Sequence, residues 1–454
     1  MPIPFDEDIP LDNKQIRLYD SSYNFTRISV DELIAQKLNY WKGWYCSAGE
    51  RSLYVDYDGR VWISNCASSN YYKKEWLKYM WDSIGQPPHK EWHDKNTPGG
   101  WDMVNRGPGI PGWNFKDSEY HRNFMKHIAE LEEAFYTSPG TGVYDEKIKE
   151  DYFGYIGNIY DKLVFDDISW VKCPFDSCGC GADVFLSKIK DEKYLDSLAV
   201  SKHGYEGQNR TKKNFVKNID DSVSMELNFP INYQVLWDLG RRCNYNCNYC
   251  WNGVHSPTEK HHSYDVIKGT IKKIINDWAR NNEVRWNFGG GEPTIHPNFL
   301  DIVKFLKENN QWVMLVSNGS RENNYWKELR KYCNSVLFSA HFESMAKFER
   351  HEARFIENIN LVMDWHNSHD DDHWLEIKLM APPGYVHHAV EFKNKIDLNE
   401  LNSPGKNGRM KGCCSIVPIR LDTVTAKNKM YDENDIRAGI DNYTSEELKI
   451  LENQ

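Results

Sequence analysis

Three cysteines, Cys243, Cys247 and Cys250, stand in the stretch CNYNCNYC with the spacing CxxxCxxC. Thiolates so close on one loop can wrap one corner of an iron-sulfur cubane, and three protein ligands for four irons leave one iron open to an exogenous chelator. The competing chemistry is a structural zinc site, which takes four Cys or His ligands, usually from two paired knuckles. His255 is near enough in sequence to be a fourth ligand, but no second knuckle follows it.

The elements around the triplet argue for the cubane. Residues 235–239 form an apolar run that reads as a buried strand leading into the cysteines, and an amphipathic helix follows. A second apolar run, 284–288, leads into GGGEPTIHP, which contains Gly290, Gly291, Glu292 and Pro293. Strand and helix then alternate. Ile267, Ile271, Ile274, Ile275 and Trp278 share one face of the first helix, and Phe299, Ile302, Val303 and Leu306 share one face of the second, which opens at Pro297. Further strands are expected at 312–316, 336–340, 374–380 and 416–421. Such alternation predicts an α/β fold with a parallel sheet and crossover helices.

The CxxxCxxC loop after one strand, with GGEP after the next, resembles the radical S-adenosylmethionine (radical SAM) superfamily. The resemblance implies a partial (β/α)6 TIM-type barrel with its chemistry at the C-terminal ends of the strands. It implies a 4Fe-4S cluster on Cys243, Cys247 and Cys250, with SAM chelating the open iron and cleaved reductively to a 5'-deoxyadenosyl radical that takes hydrogen from a substrate. In that scheme Tyr249 lies along the adenine, Gly290, Gly291 and Pro293 admit the methionine moiety, and Glu292 sets a carboxylate near its ammonium. Ser317, Asn318, Ser339, His341 and Lys378 occupy positions of ribose and carboxylate contacts, although polar residues satisfying strand ends would look the same. A low-potential electron donor such as flavodoxin or ferredoxin is implied as partner. His296 reads as part of a helix entry and Cys333 as a buried thiol. Cys413 and Cys414, placed just before the expected sixth strand, read as buried thiols or one extra auxiliary ligand, the sharper alternative being a thiol that exchanges a hydrogen atom.

Upstream, the stretch from Cys46 to Cys66 is CSAGERSLYVDYDGRVWISNC, with strand-like residues 52–56 and 60–64 around the turn signal Asp58-Gly59. A hairpin closed there brings Cys46 and Cys66 toward each other. CPFDSCGCGAD adds Cys173, Cys178 and Cys180 on a glycine-rich loop. Together they make a four-ligand site, for which a zinc ribbon and an iron-sulfur cluster are both chemically open. This set, with GYIGNIYD at 154–161, resembles the SPASM and twitch auxiliary domains of radical SAM enzymes and implies a second iron-sulfur cluster. The order is reversed relative to the family, where such a domain follows the core, and the cysteine spacing of the last knuckle differs.

The expected organisation is an extended arm at 1–30, an α+β auxiliary domain at 31–199, a polar linker at 200–228, the core at 229–424 and a C-terminal helical segment at 425–454 that starts at a Thr-Ser cap. Residues 87–115, dense in Pro, Gly and Trp, read as a long loop, and 119–135 show helical spacing. With 56 Lys and Arg against 66 Asp and Glu, the net charge of -10 provides no field for gathering phosphates, which disfavours nucleic acid. No apolar run approaches the roughly 18 residues of a membrane span, and the acidic N-terminal stretch does not suit a signal peptide, so a cytoplasmic location is expected. In a reducing compartment 11 cysteines point to metal rather than disulfides. The expected substrate is a peptide side chain, with a small molecule or nucleotide as the alternative. A non-catalytic iron-sulfur or zinc module for electron transfer or binding would have no need of GGEP.

Overall fold

The computed structural model describes residues 15–19, 25–29, 43–68, 153–165, 171–174, 188–189, 215–216, 225–226, 233–247, 250, 259–348, 350–369, 373–396, 398–401, 411–419 and 443–452. Tyr249, Cys178, Cys180, the 87–115 loop and the 119–135 helix expectation lie outside them.

One sheet organises the described residues. Its strands are β1 (Ser52–Val55), β2 (Arg60–Trp62), β3 (Tyr155–Asn158), β4 (Tyr233–Asp238), β5 (Val284–Gly289), β6 (Trp312–Ser317), β7 (Ser335–His341), β8 (Trp374–Ala381) and β9 (Gly412–Pro418). Their order is β9-β8-β7-β6-β5-β4-β1-β2-β3. β4 to β9 run parallel in sequence order, joined by α1 (Tyr264–Lys273), α2 (Phe299–Glu308), α3 (Asn323–Leu329), α4 (Phe342–Met345), α5 (His351–Ser368), α6 (Val386–Lys393) and α7 (Leu398–Leu401). The six parallel strands expected from the sequence are present. α8 (Ser445–Glu452) begins at Thr444, whose hydroxyl accepts from the Glu447 N–H at 3.2 Å while the Glu447 carboxylate accepts from the Thr444 N–H at 2.9 Å, a reciprocal cap.

Strand alternation separates two faces. Val235, Trp237, Val284, Trp286, Phe288, Val313, Leu315, Val336, Phe338, Ala340, Ile377 and Leu379 are fully buried under the helices. The other face carries the polar Gln234, Arg285, Asn287, Ser339, His341 and Lys378, all but Ser339 only half-buried, alongside the apolar Leu236, Met314, Val316 and Leu337. One face is therefore the hydrophobic core, and the other is mixed in polarity and mostly only partly buried.

Three elements differ from expectation. The sixth strand starts at Gly412, not at residue 416, because a Cβ at Gly412 would stand 2.0 Å from the Leu375 carbonyl and only glycine lets β9 close on β8. Cys413 and Cys414 are thus inside β9, in register with Glu376 and Ile377. The second helix starts at Phe299 behind Asn298 rather than at Pro297. Within the stretch read as an arm, Gln15–Tyr19 and Phe25–Ser29 pair antiparallel.

The hairpin turns at Gly59 (φ +87°) as the Asp-Gly signal requires. Its first strand also pairs in parallel with β4, Ser52 opposite Gln234 and Val55 opposite Trp237, so the N-terminal hairpin extends the core sheet. In the turn, the Asp58 carboxylate pairs with the Arg60 guanidinium, both buried. Asp58→Ala breaks this buried pair and is expected to cost about 3–5 kcal/mol, read from the denaturation midpoint; an unchanged midpoint would contradict the pairing.

Candidate active site

The chain segments leaving β4 and β5 are bonded backbone to backbone. Leu239 N–H donates to Gly289 O (3.1 Å), Gly291 N–H to Gly240 O (2.8 Å) and Glu292 N–H to Arg242 O (2.8 Å). The GGGE turn is therefore fixed to the residues immediately before Cys243. Glycine is obligatory there: Gly290 has φ +102°, and a Cβ on Gly291 would lie 2.2 Å from Arg242 O.

Glu292 caps the short 3-10 turn Pro293–Ile295 and is buried. Its Oε1 accepts from Thr294 N (3.1 Å), Thr294 Oγ1 (2.6 Å) and Ser317 Oγ (2.8 Å), and its Oε2 from Asn318 N (2.6 Å). Burial pushes its carboxyl above the ordinary glutamate range, against the lowering effect of those donors. Ser317 and Asn318, singled out in the sequence, thus meet at Glu292. Asn318 goes further: its side-chain NH2 donates to Asn244 Oδ1 (3.0 Å) and stands 3.8 Å from Cys243 Sγ.

Cys243 Sγ accepts from Tyr245 N–H at 3.4 Å, and burial pushes the thiol up to about 12, with Glu292, Cys250 and Cys247 adding to the rise. Cys247 Sγ is 3.2 Å from Ser344 Oγ on α4, and Cys250 N–H donates to Cys247 O at 3.0 Å. The donor set suits an iron-sulfur cluster: three thiols of one loop, within electrostatic reach of one another and beside the GGGE turn. Among the described residues no group of three His, Cys, Asp or Glu side chains already converges on a single metal position; closing ligands around an ion normally accompanies loading.

Ser339 is buried within β7, and His341 ends that strand, its imidazole pushed down to about 4 by burial. Lys378 pairs with Glu376 at 3.2 Å and lies in register with Ser339, inside β8 rather than at its end. His296 Nε2–H donates to His262 O (2.9 Å) and its Nδ1 accepts from Asn298 N–H (3.1 Å), a helix-entry role, and Cys333 is a buried thiol.

At the N-terminal hairpin, Gly49 N–H donates to both Ser52 O and Ile63 O at 3.1 Å, closing the end from which Cys46 and Cys66 depart. Cys46 lies in the strand Tyr45–Cys46, which pairs with Val171–Lys172, and Cys173 N–H donates to Trp44 O at 2.7 Å. Cys46 therefore lies on one strand and Cys173 just past the end of the adjacent one, while Cys66 Sγ is 3.0 Å from Ser64 Oγ.

Several residues here escaped sequence reading. Tyr245, inside the cysteine motif, hydrogen-bonds His351 Nδ1 at 3.1 Å and stacks on Phe348. Asn244, Ser320 and Ser344 also join the network. Only Tyr245 carried a signal, an aromatic between two candidate ligands; the others are polar loop residues made relevant by the fold.

Residues 237–363 match the model of the Radical SAM superfamily. A UPF0026 protein of Helicobacter pylori is 29% identical over 133 residues, covering 27% of this chain and 42% of that protein. An S-adenosylmethionine-dependent nucleotide dehydratase of Selenomonas ruminantium is 34% identical over 89 residues, 19% of this chain and 30% of its own length. Mycofactocin maturase MftC of Mycobacterium tuberculosis is 31% identical over 85 residues, 19% of this chain and 21% of its own. The chain thus spans less than half the length of these curated relatives. Among solved structures, Streptococcus suis SuiB bound to precursor peptide SuiA aligns at 13% identity and TM-score 0.32, covering 67% of this chain and 56% of that one.

Proposed function

We propose that this chain, a radical SAM superfamily enzyme, binds a 4Fe-4S cluster through Cys243, Cys247 and Cys250 and abstracts hydrogen from a peptide side chain. When bound, the cluster and SAM supply one-electron cleavage to a 5'-deoxyadenosyl radical; the protein supplies binding and orientation. The observation that carries the reading is the Glu292 network, which ties the GGGE turn, the end of β6 and the Cys243 loop into one unit. Gly290 and Gly291 let the turn pack directly against the backbone of Gly240 and Arg242, which holds it beside the cysteine loop. Ser317 and Asn318 hold Glu292 in place, and its carboxylate is the group offered to an ammonium. The half-buried face of the sheet, with Asn287, Ser339, His341 and Lys378, is the surface offered to substrate.

Cys46, Cys66, Cys173, Cys178 and Cys180 are proposed to hold a second metal centre, an iron-sulfur cluster before zinc. Reconstituted protein should then contain about eight irons; about four with one zinc favours the ribbon, and about four alone removes the second site.

The peptide reading draws on the acidic net charge and on the kinship with a named maturase. A nucleotide substrate is the second reading, favoured by the similarity to a nucleotide dehydratase. Candidate peptide and nucleotide pools are to be added separately to reconstituted enzyme. Peptide-stimulated 5'-deoxyadenosine formation is expected, and stimulation by nucleotides alone would overturn the peptide reading. A flavodoxin or ferredoxin is the proposed electron donor. Among the described residues no helix is long and apolar enough to cross a membrane.

A further inference from the structure

We propose that Tyr54, on the N-terminal hairpin and outside the stretch that matches the superfamily model, is a positioning residue for SAM binding: its phenol holds the Asp238 carboxylate beneath the glycine turn. The inference rests on the reading that this turn receives SAM. Parallel pairing of β1 with β4 places the DYDG turn at the same sheet end as the cysteine loop. Tyr54 OH donates to Asp238 Oδ2 at 2.5 Å. The other oxygen, Oδ1, would lie 3.3 Å from a Cβ added at Gly289, so the carboxylate fills the space directly under the start of GGGE. Asp238 is also the last residue of the strand from which the cysteine loop departs, and is in register with Gly289.

The rest of the hairpin turn reinforces the same junction. The Arg241 guanidinium stands over the Tyr57 ring at 4.3 Å and pairs with Glu259, whose Oε2 accepts from Arg241 N–H at 2.6 Å. His262 Nε2 is 2.7 Å from Tyr57 O, and its Nδ1 is 2.5 Å from Tyr160 OH. The polypeptide on both sides of the cysteine loop, at 238–241 and 259–262, is thereby fastened to the N-terminal segment. Tyr54 acts where the two glycine-bearing strands meet.

The titratable groups facing Asp238 are the neutral Tyr54 phenol and the Asp56 carboxylate, both from the hairpin. Burial raises the Asp238 carboxyl to about 6, and the Tyr54 bond works in the lowering direction. Removing the phenol hydroxyl therefore lets the carboxyl rise further. SAM affinity should accordingly fall on the acid side, and that fall should move to higher pH when the hydroxyl is lost.

The test compares SAM affinity, by equilibrium dialysis on cluster-loaded wild type, Tyr54→Phe and Asp238→Asn, between about pH 5 and 8. Tyr54→Phe is expected to bind SAM about tenfold more weakly at neutral pH, with its acid-side loss shifted upward. Asp238→Asn, a neutral stand-in for the protonated carboxyl, should bind SAM at every pH about as weakly as wild type does on the acid side, and so lose the pH dependence. If Tyr54→Phe does not accumulate in folded form, the pH profile of Asp238→Asn decides. Wild-type affinity and pH dependence in both variants overturn the inference alone. A wild type that binds no SAM overturns the underlying reading, and this inference with it.

Discussion

Replacing Cys243, Cys247 and Cys250 together by alanine abolishes reductive cleavage of SAM and lowers the iron content by about four, leaving any metal on the N-terminal cysteines in place. The expected effect is total because, on the proposed reading, the three thiols together hold a single cubane. The fold should survive: the loop is held by backbone bonds from Leu239, Gly291 and Glu292 and by the Asn244 and Asn318 amides, none of which passes through a cysteine side chain. Far-UV circular dichroism should therefore match wild type. Cleavage persisting in the triple variant would contradict the assignment of this loop.

Glu292→Gln carries the second large effect. The native carboxylate only accepts, with three donors on Oε1 and the Asn318 N–H on Oε2. An amide in the same place must turn its NH2 either toward Asn318 N–H or toward the Thr294 and Ser317 donors, so at least one buried donor faces another donor. About 2–4 kcal/mol of stability should be lost, together with at least about tenfold in SAM affinity. The pH dependence has a definite sign. Burial raises the Glu292 carboxyl, so the native fold binds its proton more tightly than the unfolded chain does. That contribution is complete below the ordinary glutamate value and is lost as pH rises through the raised one. Wild type should therefore gain relative to Glu292→Gln as pH falls toward the ordinary glutamate value in urea titrations, and a gap that narrows would contradict the burial.

The parallel core was legible because its two signals are local. Strands such as Val284–Gly289 alternate fully and partly buried residues, and helices such as Phe299–Glu308 place Phe299, Ile302, Val303 and Leu306 on one stripe. Asp58-Gly59 likewise specified its hairpin. β9 was misplaced because Gly412 reads as a strand breaker until its close approach to Leu375 is seen. The site was legible where one motif held both chemistry and backbone constraint, as in GGGEP. It was not legible where partners meet from distant parts of the chain: nothing near Tyr54 announces Asp238, and nothing near Cys247 announces Ser344. The parallel junction of β1 with β4 was equally hidden, because strand pairing at such sequence separation depends on the whole sheet.

The central claim is that Cys243, Cys247, Cys250 and the GGGE turn form one SAM-cleaving centre, and its most direct test is formation of 5'-deoxyadenosine. Wild-type protein reconstituted anaerobically with iron and sulfide, then given SAM and a low-potential reductant, should release 5'-deoxyadenosine and methionine in equal amounts, at a low rate without substrate. Fully reconstituted protein that leaves SAM intact with every candidate pool would contradict the account.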